Sequence, residues 1–304
     1  MLIGSRVGLD SLVERLSRHA KEDGSFSLPL PGAYVYRNSQ RESEVRPALY
    51  EPAVCLVAQG AKAVFYGREV VRYDPAHVLI SALDLPLRAQ VLEASPKEPF
   101  LCLKLVLDPV EVAELATRVY PEGVLPGEAQ PIFVGKTTPA LLDAALRFLK
   151  ALEEPNEQKL LAPLYRQELL IRLLQESPAL ARLNLLDPHL RRIARAANHI
   201  RVHFREPLDV RALARLAHMS ESAFYEHFKR VTSLTPLQYQ KALRLQEARK
   251  LLLDGLSVVQ VAREVGYASL SQFTREYRRF FGAPPSRDAA RLREQGGLVA
   301  SQAG

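Results

Sequence analysis

Two short stretches of the chain put hydrogen-bonding and cationic groups on one helical face and aromatic groups on the other. In "ESAFYEHFKRV", Phe224 and Phe228 stand four residues apart, leaving Ser222, Tyr225, Glu226 and Lys229 opposite them. In "SLSQFTREYRRFF", Phe273, Tyr277, Phe280 and Phe281 make one stripe, leaving Ser271, Thr274, Arg275 and Arg278. The apolar stripe of such a helix anchors it to a core. Hydroxyl, amide and guanidinium groups on the free face suit exchange of hydrogen bonds with base edges in a DNA major groove. A helix of this kind serves as a buried prop, a protein contact or a groove probe, and its neighbours decide among these.

Both stretches follow the same device. Asp209 is placed to cap a helix on which Val210, Leu213, Ala214 and Ala217 share a face; "HMS" then turns, and Ser220 caps the next helix. Ser257 is placed to cap a helix on which Val258, Val261, Ala262 and Val265 repeat the spacing. Gly266-Tyr267 then turns, and Ser269 with Gln272 matches a capping box. A short helix, a tight turn and a second helix pinned by one stripe is the helix-turn-helix plan. In it the second helix offers its N-terminal residues to bases. A helix over "PLQYQKALRLQEARKLLLD" joins the copies, with Leu245, Ala248 and Leu252 on one face and Lys241, Arg244, Arg249 and Lys250 elsewhere. Held rigidly, two probes roughly 34 Å apart would enter successive major grooves.

Charge supports the groove probe. From residue 186 onward there are 20 Lys and Arg against 11 Asp and Glu, a net of +9; before it there are 21 against 23, a net of −2. A basic half joined to a near-neutral half points to a polyanion partner for one part only.

Other chemistries find little support. His199 and His203 are four apart, but Ile200 follows His199 where a zinc protease motif needs glutamate, and no ligand spacing surrounds His19 or His77. No nucleophile elbow, dinucleotide fingerprint or phosphate loop appears. No catalytic group, metal or cofactor is expected. Cys55 in "VCLVA" and Cys102 in "LCLKL" sit in apolar runs, where thiols pack as small hydrophobes. A redox or electrophile-sensing role for them would require a lowered pKa and exposure.

The elements that must position the probes fall into three parts. Over about 30–108, "AYVYR", "AVCLVAQ", "AVFYG", "EVVRYD", "HVLISAL", "RAQVLEA" and "FLCLKLVLD" read as short strands, with a hairpin turning at Gly67. They predict a sandwich or small barrel. "DPVEVAELATRVY" reads as a helix and "PEGVLPGEAQPIFVGKTT" as a loop. "TPALLDAALRFLKALEE" and "KLLAPLYRQELLIRLLQES" are amphipathic helices that form a hairpin or a dimerisation surface. From Pro188 the pattern is seven helical segments, ending in a frayed tail "EQGGLVASQAG". With 47% hydrophobic residues, no apolar run near ~18 residues and no signal-peptide pattern, a soluble cytoplasmic protein without a membrane partner is predicted.

The stretch from "MSESAFYEHFKRVTSLTPLQYQKALRLQEARKLL" through "SVVQVAREVGYASLSQFTREYRRFFGAPPSRD" resembles the DNA-binding domain of AraC-family bacterial transcription regulators. The segment "LYEPAVCLVAQGAKAVFYGREVVRYDPAHVLISALDLPL" resembles the cupin-like effector domain of one subgroup. The resemblance implies an α+β multidomain fold: an effector-sensing barrel or sandwich over 1–136, a helical connector over 137–186, an all-α domain with two helix-turn-helix motifs over 187–293, and a flexible tail over 294–304. Ser222, Tyr225 and Glu226, then Leu270, Ser271, Thr274 and Arg275, become the base-facing positions, with Lys229 and Arg278 beside them on the DNA. Many members carry Arg or another donor where this chain has Glu226. Implied partners are double-stranded promoter DNA, RNA polymerase, an unidentified small-molecule effector and a second copy of the chain. The alternatives are a cupin-like binding protein or enzyme with a helical interaction module, and a regulator whose N-terminal part only dimerises.

Overall fold

The computed structural model describes residues 3–124, 130–185 and 188–294. Helix α1 (Ile3–His19) leads into strands β1 (Gly24–Ser27), β2 (Ala33–Asn38), β3 (Arg46–Tyr50), β4 (Ala53–Gln59) and β5 (Ala61–Tyr66). Strands β6 (Glu69–Tyr73), β7 (His77–Ser81), β8 (Leu85–Glu93) and β9 (Phe100–Val106) follow, then α2 (Pro109–Val119) and β10 (Ile132–Lys136). One antiparallel sheet runs β1-β2-β9-β4-β7-β10 and a second runs β3-β8-β5-β6. Both orders are open, so among the described residues the sheets stack as a sandwich and neither closes into a barrel.

Three of these strands are absent from the sequence-based set. β3 contains Pro47, which argues against a central strand but is tolerated where β3 lies, at a sheet edge. β1 is short and polar. β10 falls inside the stretch expected as loop; Pro131 and Gly135 mask an apolar run that pairs with β7 from Ile132↔Ser81 to Lys136↔His77. Residues 125–129 of that stretch lie outside the described residues. The expected hairpin is present, with Tyr66 opposite Glu69 and Gly67 at φ +59°.

Alternation along the strands builds layers. On β4 and β9, Val54, Leu56, Leu101, Leu103 and Leu105 face a helical core, while Cys55, Val57, Phe100 and Cys102 face the second sheet. The helical layer comprises α1, α2, α3 (Pro139–Glu153), the short α4 (Pro155–Gln158), α5 (Ala162–Glu176) and α6 (Pro178–Leu185). Thr138 caps α3 by accepting from the Leu141 amide, and Leu141, Leu142, Ala145, Phe148 and Leu149 are all buried. Arg15 of α1 meets Glu153 at 2.5 Å. One core thus spans the sheet and the helices on both sides of residue 136.

Seven helices complete the chain: α7 (Pro188–Val202), α8 (Val210–Leu216), α9 (Glu221–Thr232), α10 (Pro236–Leu253), α11 (Val258–Glu264), α12 (Leu270–Phe281) and α13 (Pro285–Glu294). Their number matches the seven helical segments read from Pro188 onward. The tail, from residue 295 on, lies outside the described residues. Helix α10 serves two cores: Tyr239 and Leu243 join α7–α9, while Leu245, Ala248 and Leu252 join α11–α13.

Candidate nucleic-acid interface

The two helix pairs are built by the same local contacts. Asp209 and Ser257 cap α8 and α11 by accepting from Ala212 and Gln260 amides. At the first turn, His218 donates its amide to Arg215 and Met219 to Ala214; at the second, Gly266 donates to Arg263 and Tyr267 to Ala262. Both turns pass through the left-handed region, His218 at φ 53° and Gly266 at φ 83°. Ser220 and Ser269 then cap α9 and α12, so the second turn is one residue longer. Each reader helix has twelve residues and ends on a left-handed cap, Ser233 and Gly282. The capping box expected at Ser269 is only half made: Gln272 donates instead to Glu276 at 3.1 Å. The reciprocal box forms at Ser257–Gln260.

With the anchors Phe224 and Phe228 matched to Phe273 and Tyr277, Ser222 corresponds to Ser271, Tyr225 to Thr274, Glu226 to Arg275 and Lys229 to Arg278. All four side chains on α9 are exposed. On α12, Leu270, Ser271, Arg275 and Arg278 are exposed and Thr274 half-buried; together with Arg279 they line one open concavity. Equivalent positions thus carry a carboxylate in one reader and a guanidinium in the other.

The basic groups of α10 are mostly consumed inside the protein. Lys241 pairs with Glu276 of α12 at 2.8 Å, and Glu276 also accepts from Tyr267 at 2.8 Å. Burial works against the Glu276 charge, but hydrogen bonds from Lys241, Gln272 and Tyr267 outweigh it and hold the carboxyl below its usual range. Arg244 donates to Phe204, Glu206 and Gly266 carbonyls at 2.6, 2.9 and 2.8 Å, tying the α7–α8 loop to the second turn. Arg249 is buried against Asp288 at 2.9 Å. Periodicity could not separate these roles from a solvated basic face, because the partners lie 22 to 40 residues away.

Gly266 is where this scaffold is tightest. A Cβ there would stand 2.3 Å from the Arg205 carbonyl oxygen, on a backbone at φ +83°. Gly266→Ala is therefore expected to lower stability by more than about 2 kcal/mol, from left-handed strain plus displacement of backbone. A urea denaturation midpoint equal to wild type would contradict this.

The first reader docks on the rim of the sandwich. Tyr66 donates to the Val231 carbonyl at 2.6 Å, Tyr239 donates to the Asp84 carbonyl at 2.6 Å, and Arg201 pairs with Asp84 at 3.2 Å. Burial pushes the Asp84 carboxyl up, with Arg201 opposing. Beside these contacts lies a cleft of about 280 Å³, between the sheet residues Glu51 and Asp84 and the helical residues Arg201, Leu243, Gln246 and Lys250. Gln246 is buried, and neither polar atom of its amide has a partner among the described residues. Sequence reasoning did not find this cleft, since it is assembled from four separate segments.

Cys55 and Cys102 are both buried, so the exposure expected of a surface sensor thiol is absent. Among the described residues no three His, Cys, Asp or Glu side chains are grouped to hold a metal, and no helix is long and apolar enough to cross a membrane.

Residues 29–179 match the family model of the AraC-type transcriptional regulator N-terminus, and residues 213–291 match that of a helix-turn-helix domain. The chain is 41% identical over 86 residues to the RCS-specific HTH-type transcriptional activator RclR of Escherichia coli, covering 28% of this chain and 30% of that protein. It is 30% identical over 160 residues to the virulence regulon transcriptional activator VirF of Yersinia enterocolitica, covering 52% and 59%. These matches span about a third to three-fifths of the relatives' lengths. Among solved structures, ToxT of Vibrio cholerae bound to (E)-4-(8-methylnaphthalen-1-yl)but-3-enoic acid shares the fold at TM-score 0.58 and 12% identity, covering 86% of this chain and 98% of ToxT. ToxT bound to an unsaturated fatty acid aligns at TM-score 0.56 and 9% identity, covering 84% and 94%.

Proposed function

The chain belongs to the AraC family of transcriptional regulators, and from that premise we propose that it binds promoter DNA sequence-specifically through α9 and α12, as a cytoplasmic regulator and not an enzyme. The observation that carries this is the pair of equivalent helix-turn-helix units on one shared helix, each with its polar face exposed. Ser222, Tyr225 and Glu226, and Leu270, Ser271, Thr274 and Arg275, are the base-facing set, with Lys229, Arg278 and Arg279 toward phosphates. Phosphate contacts position the protein without selecting sequence.

Glu226 makes the two readers unequal. A carboxylate repels phosphates but accepts from cytosine N4, whereas Arg275 at the equivalent position suits guanine O6 and N7. Glu226→Arg is expected to tighten binding to random duplex, to steepen the dependence on salt by one to two phosphate equivalents, roughly, and to change the preferred base at one position. Fluorescence anisotropy across a salt series reads all three. An unchanged slope with unchanged preference would remove α9 from the interface.

The sandwich, which lies in the stretch matching the AraC-type transcriptional regulator N-terminus, is the sensing half of this proposal. We assign a small-molecule effector to the cleft between Glu51, Asp84 and Gln246, where a bound molecule would touch both the sheet rim and the helix that joins the readers. An effector shifts the regulator only by binding one arrangement better than the other. ToxT suggests an unsaturated fatty acid as the first probe. Its carboxylate would meet Arg201 and Lys250 but also three neighbouring carboxylates, so a ligand with a neutral donor and acceptor pair fits Gln246 better. A rise in the melting temperature with oleate, absent in Lys250→Gln, would support the fatty acid, and no rise would favour the neutral ligand. Dimerisation through α3 and α5, and contact with RNA polymerase, are the remaining partners of this proposal.

A further inference from the structure

The interior of the sandwich holds a group of reactive side chains that DNA binding does not use. Strands β4 and β9 are neighbours, with Cys55 opposite Lys104 and Val57 opposite Cys102. Cys55 and Cys102 are thus diagonal neighbours on the same inward face, 7% and 4% exposed. Two lysines share this interior. Lys104 pairs with Glu51 at 2.5 Å. Lys62 projects its ammonium over the Tyr36 ring, 4.7 Å from its centre, and lies 5.7 Å from the centre of the Tyr50 ring. Packing alone does not account for this. A buried ammonium is costly unless polar or anionic groups face it, and Tyr50, Tyr36, the Glu42 carboxylate and Cys102 lie within its electrostatic reach.

The two thiols are not equivalent. Contact with Cys102 pulls the Cys55 thiol below its usual range; burial opposes the shift, and Lys104 and Lys62 assist it. The same contact and burial push Cys102 well up. The shifts run in opposite directions and make Cys55 the more readily deprotonated of the two.

We propose that Cys55 and Cys102 form a reversible disulfide inside the sandwich, made by a small two-electron oxidant of the hydroperoxide class. The Cys55 sulfur attacks one peroxide oxygen, the O–O bond breaks, and the leaving hydroxide takes the Cys55 proton to depart as water, leaving a sulfenic acid. The Cys102 sulfur then attacks the Cys55 sulfur; the S–O bond breaks and a second water departs with the Cys102 proton. Two electrons pass from the dithiol to the peroxide, so two thiols and one hydrogen peroxide give one disulfide and two waters. Because both thiols are buried, the oxidant reaches them through local opening of the strands, which favours a small molecule over bulkier reagents. Diagonal neighbours lie roughly 7–8 Å apart at Cα, whereas a disulfide needs about 4.4–6.8 Å, so closure draws β4 toward β9. The irregularity in β4 between Val57 and Gln59, beside the partner of Cys102, gives the strand room to shift. A bond made under that strain is readily reduced by thiols.

The test treats the reduced full-length protein with hydrogen peroxide, then denatures, alkylates and maps its peptides by mass spectrometry. Both thiols should disappear together into one linked peptide pair that dithiothreitol restores. Cys102→Ser should stop at a Cys55 sulfenic acid that dimedone captures, whereas Cys55→Ser should oxidise about tenfold more slowly. If wild-type thiols stay alkylatable, or peroxide yields only chains linked to one another, the proposal fails. Since the readout is sulfur chemistry, its failure is separate from any failure of DNA binding.

Discussion

Replacing Asp288 with alanine is expected to unfold the second reader first, at a cost of about 3–5 kcal/mol. The Asp288 side chain is fully buried and takes hydrogen bonds from Arg249 of α10 at 2.9 Å, Tyr277 of α12 at 2.9 Å and Arg291 of α13 at 2.8 Å. Three helices of that unit, α10, α12 and α13, meet at this one charge. Without it Arg249, itself buried and 4.5 Å from the centre of the Phe281 ring, is left with no carboxylate partner. Breaking one side of a buried pair costs more than the pair contributes, because the other charge remains desolvated. Asp288→Asn, which keeps an acceptor for Tyr277, should lose less. Urea denaturation followed by circular dichroism should show an early transition in Asp288→Ala, with the sandwich unfolding at its wild-type midpoint. A single transition at the wild-type midpoint would mean that the triad adds nothing.

The second large effect is on recognition. Arg275→Ala is expected to cost about 1–3 kcal/mol in binding to the preferred site and to relax preference at one base pair. Arg275 stands exposed on the first turns of α12, beside Ser271 and Thr274 and away from the Phe273–Tyr277 anchor, so its loss leaves the helix in place. Arg278→Ala should behave differently, weakening every sequence alike and lowering the salt slope by about one. Competition assays with single-base variants of the site separate the two. Equal weakening on all sequences would reassign Arg275 to a phosphate.

Much of this was legible in the sequence because it is local. The caps at Asp209, Ser220, Ser257 and Ser269 each act within three residues, and the stripes Phe224–Phe228 and Phe273–Tyr277 within four. The left-handed turn at Gly266 was legible; the same conformation at His218 was not, since histidine carries no such signal. What escaped is long-range. Lys241, Arg244 and Arg249 look like one solvated basic face, and only the fold brings Glu276, the Phe204 carbonyl and Asp288 to them. β10 was hidden because a single strand's apolar content is small and its partner β7 lies some fifty residues earlier in the chain. Lys62 and Lys104 carried a faint signal, charges at inward positions of apolar strands, whose meaning depends on the thiols facing them.

The central claim is that two unequal readers, held by α10, meet DNA together. Selection of binding sites from random duplex by the full-length protein, at two salt concentrations, tests it directly. The expected result is a motif of two half-elements about one helical turn apart, the stronger one containing guanine and changing when Arg275 is removed. Recovery of no motif, with binding that fades uniformly as salt rises, would make the basic half a phosphate-binding surface and contradict the account.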